Sequence, residues 1–120
     1  MVYRLTADET GTVRGPILIT AGLLLSIATR PGTPAPAAPF DVELVTNAGV
    51  DLLYGCGKRR HPTDLQRTIV RRPQARSSKR ARNRHPILEP EVPVQLRGAL
   101  GPRASVVVVL FVAPDDGRVD

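Results

Sequence analysis

Cysteine and aromatic residues are nearly absent from this 120-residue chain, which has one Cys, two Tyr, two Phe and no Trp. The single cysteine, Cys56, excludes a disulfide framework within the chain. With so few aromatic rings, the core must be built from Val, Leu, Ile and Ala. Long helices are excluded over most of the chain, because 12 Pro and 10 Gly interrupt it at short intervals.

Motifs for catalysis, cofactor binding and metal ligation are also lacking. The segment Gly55–Lys58 departs from the phosphate-loop pattern because Arg59 follows the lysine. The lone cysteine with His61 and His85 offers too few ligands for a zinc site. Acidic pairs such as Asp8-Glu9 fall in turns and suggest no acid/base pair. The sequence therefore predicts no enzyme activity, no catalytic residue, no cofactor, no metal and no small-molecule substrate.

No segment is long and apolar enough to cross a membrane. Pro16–Ala28 is apolar, but Arg14 and Arg30 bracket only 15 residues, and a spanning helix needs about 20. No membrane association is predicted. A secreted form with a cleaved leader stays open, because Ala35-Pro36-Ala37 follows this segment, although Asp8 and Glu9 oppose that interpretation.

The chain instead consists of short β-compatible pieces. Val2–Thr6 and Thr10–Arg14 predict a hairpin-like start that Gly15-Pro16 ends. The next apolar run, Leu23–Thr29, is either a strand or a short buried helix. Arg30–Pro39 carries four prolines and predicts an extended connection without sheet pairing.

The clearest strand signal is the alternation of Phe40–Thr46, which predicts a half-buried strand. After the turn at Asn47-Ala48-Gly49, Val50–Tyr54 is expected to be its paired strand. Val92–Arg97 alternates as well, with Pro93 indicating an edge strand or a bulge. These six to eight short strands predict an all-β fold: one small β-sandwich or jelly-roll-like domain over residues 1–120, with a long basic internal loop at 58–85.

Ser105–Ala113 predicts a strand that is apolar on both faces. A strand in a sandwich has one buried and one wet face, so something must cover its second face. The basic loop, the proline-rich connection or another subunit could do so, and the last favours an assembling protein. The predicted core or assembly residues are Val106, Val107, Val108, Val109, Leu110, Phe111 and Val112.

The basic residues are concentrated in one segment, Lys58–Arg84, which has a net charge of +10 and is attached to a remainder of −4. Such a segment predicts contact with a polyanion or an acidic protein partner, and the alternative is a solvated loop. Nucleic-acid binding would have little sequence preference, because no stacking aromatics are interleaved. The predicted contact residues are Lys58, Arg59, Arg60, Arg67, Arg71, Arg72, Arg76, Lys79, Arg80, Arg82 and Arg84.

Three segments in order, TGTVRGPIL, FDVELVTNAGVDLLYG and VPVQLRGALGPRASVVVVLFVAP, resemble small β-sandwich proteins among the virion structural genes of tailed bacteriophages. The resemblance covers most of Thr6–Pro114 and implies a non-enzymatic part of the particle, such as a capsid decoration (cement) protein or a head-to-tail component. The chain departs from that pattern in the number of arginines in Lys58–Arg84. No functional residues are carried over, because the family offers no site motif to match.

The leading hypothesis is a structural protein of a phage virion, assembled in the host cytoplasm. It would contact other virion proteins, self-associate and dock its basic loop on an acidic neighbour. The alternative is a nucleic-acid-binding accessory protein whose arginines contact phosphates without sequence preference.

Overall fold

A computed structural model describes residues 1–72, 85–89 and 92–114. Within these ranges the chain forms strands and no helix, which confirms the all-β prediction. The strands are β1 (Val2–Thr6), β2 (Thr12–Ile17), β3 (Gly22–Pro31), β4 (Asp41–Thr46), β5 (Thr68–Ile69), β6 (Ile87–Leu88), β7 (Val94–Ala99) and β8 (Ser105–Ala113).

Two antiparallel sheets pack into a β-sandwich. Sheet A has the order β1-β8-β3-β5, with β6 also paired to β3, and sheet B has the order β2-β7-β4. The core between them is aliphatic, apart from Phe40, as the composition predicts. Its fully buried side chains include Leu24, Ile27 and Leu110 from sheet A and Leu44 and Leu96 from sheet B.

The strand β8 lies in the middle of sheet A and presents different residues to its two sides. Val106, Val108 and Leu110 are fully buried in the core. Val107 and Val109 alternate with them and are half-buried on the opposite side. The strand is therefore apolar on both faces, and only one face belongs to the core.

The paired strand predicted at Val50–Tyr54 is wrong. The turn forms as expected, with Thr46 N donating to Val50 O at 2.9 Å, but strand pairing ends at one bridge between Val45 and Asp51. Beyond the bridge, the Asp51 carboxylate accepts hydrogen bonds from the N–H groups of Leu44, Leu53 and Gly55. These bonds fold the chain into turns, and β4 pairs with β7 instead.

Two prolines do not have the effect on the strands that the sequence predicts. Gly15-Pro16 does not end β2, which continues to Ile17 because Pro16 lies on the open edge of sheet B and need not donate there. Pro93 lies just before β7 and takes no part in its pairing. The strand β7 is therefore free to pair on both sides, and it occupies the centre of sheet B rather than an edge. The ambiguous run Leu23–Thr29 is a strand, with an irregular register between Leu24 and Ser26.

Gly57 supports the β4 edge through close backbone contact, with Val42 N donating to Gly57 O at 2.8 Å. A Cβ added at Gly57 would lie 2.2 Å from Val42 O. We expect Gly57→Ala to reduce the free energy of unfolding by about 2 kcal/mol, measured by urea denaturation. Gly15→Ala is the matched control, because nothing lies within 4 Å of its added Cβ. Equal stability of the two variants would contradict this expectation.

Candidate docking face

The outer face of sheet A is the side of β1, β8, β3, β5 and β6 that points away from sheet B. Cross-strand pairing places Val2, Val109 and Ala28 in one row of this face. A second row contains Phe111, Ser26 and Ile69, and a third contains Ala113, Leu23 and Ile87. The centre of the outer face is therefore almost entirely apolar.

Part of this apolar surface is open to solvent. Val2 is 68% exposed and Ile69 is 54% exposed, while Val107, Val109 and Phe111 are half-buried. The proline-rich connection packs against this face at Ser105, which is buried beside Gly32. It runs along the end of the sheet, where Ser105 N donates to Pro34 O at 2.9 Å. Contiguous apolar surface of this kind is typical of protein–protein contact sites.

Three arginines border the outer face. Arg4 and Arg30 lie directly opposite Val107 on the two neighbouring strands. The Arg67 guanidinium stacks 3.8 Å from the centroid of the Phe111 ring. Its Nε and one terminal nitrogen donate to Ser26 Oγ at 3.1 and 3.0 Å. Within residues 1–72, 85–89 and 92–114, none of these three arginines pairs with a carboxylate.

Arg60, which the sequence predicts as a polyanion contact, is instead 3% exposed between the two sheets. Its backbone exchanges two 2.8 Å hydrogen bonds with Phe40, beside β4. Its guanidinium reaches across to sheet A, where Nε donates to Thr29 Oγ1 at 2.8 Å and Nη1 to Thr68 Oγ1 at 3.0 Å. Longer bonds reach the carbonyls of Cys56 and Gln66.

The guanidinium of Arg60 has no carboxylate among these hydrogen-bond partners. Desolvation by burial lowers its pKa from the ordinary value, and the charge of Asp64 partly opposes that effect. Arg60 thus joins the two sheets and is withheld from any external partner. The partner Thr29 is 31 residues away in sequence, and neither threonine is charged, so the role of Arg60 is invisible to a count of local charge.

The remaining residues of the basic segment divide into two groups. Lys58, Arg59 and Arg71 are exposed, and Arg72 is exposed but has an interaction partner. The predicted contact residues Arg76, Lys79, Arg80, Arg82 and Arg84 lie outside the described residues. The structure therefore brings Arg67 to the outer face of sheet A and leaves Lys58, Arg59 and Arg71 free to contact solvent.

The other sequence candidates do not converge on a site. Cys56 is half-buried with Sγ 3.5 Å from Ile69 O, and His85 Nδ1 lies 2.7 Å from Val70 O. In the part of the chain that is described, no group of three or more His, Cys, Asp or Glu side chains is placed to hold a metal ion. The same residues contain no helix of the length and apolarity needed to cross a membrane.

Sequence reasoning missed Arg4 and Arg30 as members of the candidate face. Each belongs to a strand whose neighbours are unknown until the sheet order is known. The available signal was their position at every second residue beside apolar positions, Val2 with Arg4 and Ala28 with Arg30. The chain matches no protein-family model, no curated protein and no solved structure.

Proposed function

We propose that the protein is a non-enzymatic structural component of a tailed-phage particle, docked through the outer face of sheet A on a neighbouring virion protein. The observation that carries the docking role is the apolar outer face over β8, which the described parts of the chain leave partly exposed. The assignment to a phage particle rests on the resemblance of three segments, ending with Ser105–Ala113, to small virion β-sandwich proteins.

Charge at the border of the face defines the partner. Arg4, Arg30 and Arg67 would meet carboxylates on the partner, around an apolar centre. A two-fold contact between two copies of this face would bring arginines close to arginines, which is unfavourable. The preferred partner is therefore a different virion protein, and self-association through this face is a separate outcome of the test.

The test is incorporation into particles. The chain is co-expressed with the genes that neighbour its own, particles are purified on a density gradient, and the chain is quantified by mass spectrometry. Val109→Glu places a carboxylate at the apolar centre, where Val2 and Ala28 lie directly opposite. Burying that charge under a partner costs at least about 2 kcal/mol, or about a thirtyfold loss of affinity. We expect this variant to fold and to be absent from particles.

Two matched variants act as controls for that experiment. Val109→Thr keeps the β-branched shape without a charge, and Gln95→Glu adds the same carboxylate to the outer face of sheet B. Both should be incorporated like the parent. Absence of the parent chain from particles, or equal incorporation of Val109→Glu, would reject the proposed function.

Solution measurements distinguish the competing outcomes. Light scattering of nuclease-treated protein detects self-association, which Val109→Glu would remove if copies meet through this face. Binding to a DNA or RNA duplex with an affinity that falls steeply with salt would favour the nucleic-acid alternative. Loss of that binding on Lys58→Ala or Arg71→Ala would assign it to the exposed part of the basic segment.

A further inference from the structure

The free edge of sheet A is formed by β1, and its hydrogen-bonding pattern can be read from its two ends. Met1 and Leu110 exchange two backbone hydrogen bonds of 2.8 Å, and Ala7 N donates to Ala104 O at 2.8 Å. In an antiparallel pair, such hydrogen-bonded positions alternate with positions whose N–H and C=O groups point away. The outward-pointing positions of β1 are therefore Val2, Arg4 and Thr6.

These outward groups have no hydrogen-bond partner among the described residues, because β1 pairs with β8 alone. The result is a row of unpaired donors and acceptors along an otherwise regular strand. Such a row is a template for pairing with another extended chain.

The other described sheet edges are short or partly occupied. On β2, Thr12 O accepts from Asp8 N at 3.1 Å and Pro16 has no N–H to donate. On β4, the turns around Gly57 and Leu52 supply partners to Val42 N and Leu44 O. On β3, the stretch Gly22–Ile27 is occupied by β5 and β6. Among the described strands, β1 alone has three successive outward positions bare.

We propose that the β1 edge binds an extended segment of the partner protein, which adds to sheet A as an antiparallel strand with an acidic residue opposite Arg4. The inference rests on the proposed docking role, because Val2, Arg4 and Thr6 point their side chains to the same outer face as Val107 and Val109. An added strand would therefore extend that face by the width of one strand beyond β1.

The charge of Arg4 identifies the occupant. Residues directly opposite each other on one sheet face interact, and like charges there are destabilising. Pairing two β1 strands about their centres would set the Arg4 side chains of two copies against each other. A partner strand with a carboxylate at its centre and apolar residues two positions to either side instead pairs with Arg4 and extends the apolar surface at Val2.

The probe is a capped peptide, Thr-Val-Thr-Glu-Thr-Val-Thr, with an analogue that has Lys in place of Glu. Hydrogen exchange measured by NMR on the full chain reports each amide separately. The Glu peptide should slow exchange at Val2, Arg4 and Thr6, whose N–H groups are bare, and leave Tyr3 and Leu5 as they are. Arg4→Glu should reverse the preference, so that the Lys peptide binds more tightly than the Glu peptide.

Thr6→Pro tests the backbone contact alone. It removes one outward N–H without breaking the β1–β8 ladder, because Thr6 donates no bond to β8 and proline is tolerated at such edge positions. We expect about a tenfold loss of peptide affinity on Thr6→Pro and no loss on Thr6→Val. Protection of Tyr3 and Leu5 amides in the free variant verifies that β1 is still paired.

No protection of the outward amides at saturating peptide, or equal binding by Thr6→Pro and Thr6→Val, overturns the edge proposal. If Thr6→Pro unpairs β1, the charge reversal by Arg4→Glu decides alone. If the peptide does not bind to β1 but Val109→Glu is excluded from particles, the docking function stands and the β1 contact is rejected. If the peptide binds to β1 but Val109→Glu is incorporated normally, the docking function is rejected and the β1 contact stands.

Discussion

Val106→Glu is expected to leave the protein largely unfolded at neutral pH. Val106 is fully buried in the aliphatic core, and the residues directly opposite it on the two neighbouring strands, Leu5 and Pro31, carry no charge. Burying such an unpaired charge costs several kcal/mol, and the whole domain has about 5–15 kcal/mol of stability. Loss of the cooperative urea transition and of dispersed amide NMR signals would show this result.

Val107→Glu is the matched variant on the adjacent residue. Its side chain points to the outer face, and Arg4 and Arg30 lie directly opposite on both neighbouring strands. A carboxylate there gains two cross-strand partners of opposite charge, each contributing about 0.2–1 kcal/mol. We expect Val107→Glu to unfold at a urea concentration close to that of the parent. Unfolding of both variants would contradict the assignment of the two faces of β8.

Arg60→Ala is expected to lower the free energy of unfolding by about 3 kcal/mol, because it leaves buried polar partners without hydrogen bonds. The hydroxyls of Thr29 and Thr68 lose their donor, and the link between β4 and sheet A is lost with them. Urea denaturation monitored by circular dichroism measures the change. The loss should be present at any pH at which the parent is folded, because arginine keeps its charge.

Two further variants separate charge from geometry at this position. Arg60→Lys keeps the charge but cannot reach both threonines with a planar fork, so most of the loss should persist. Lys58→Ala is the control for removing a basic residue, since Lys58 is exposed two positions away, and it should change stability by less than about 0.5 kcal/mol. A small effect of Arg60→Ala, similar to that of Lys58→Ala, would refute the joining role of Arg60.

The sequence predicted the sandwich because its strands are short, apolar and separated by proline and glycine. It also predicted that β8 needs cover on two sides, since Val106–Val112 is apolar throughout. That segment does not reveal which of its residues face the core, because apolar and polar residues do not alternate in it. The pairing of β8 with β1 and β3 decides which side chains point inward, and sequence patterns do not specify that pairing.

The errors at the predicted hairpin and in the basic segment have one physical origin. In both places a polar side chain forms bonds that a pattern of apolar residues cannot anticipate. Asp51 folds the chain after Asn47-Ala48-Gly49 into turns by accepting three backbone N–H groups. Arg60 is buried between the sheets, where its guanidinium donates hydrogen bonds to two threonine hydroxyls. The candidate face was likewise hidden until the sheet order placed Arg4 and Arg30 around Val107.

The order of strands also dictates when the protein can fold during its synthesis. β8, which joins β1 to β3, is the last strand of sheet A to leave the ribosome, and Val2 pairs with Val109. Sheet B cannot form before β7 is synthesised, because β7 pairs with both β2 and β4. Neither sheet can assemble from the first half of the chain, so the side of the apolar β3 that pairs with β8 stays open until β8 is made. Contacts between such distant segments form slowly and expose unpaired strands to aggregation. We therefore expect nascent chains ending before Ser105 to expose extended apolar segments of the kind that chaperones bind.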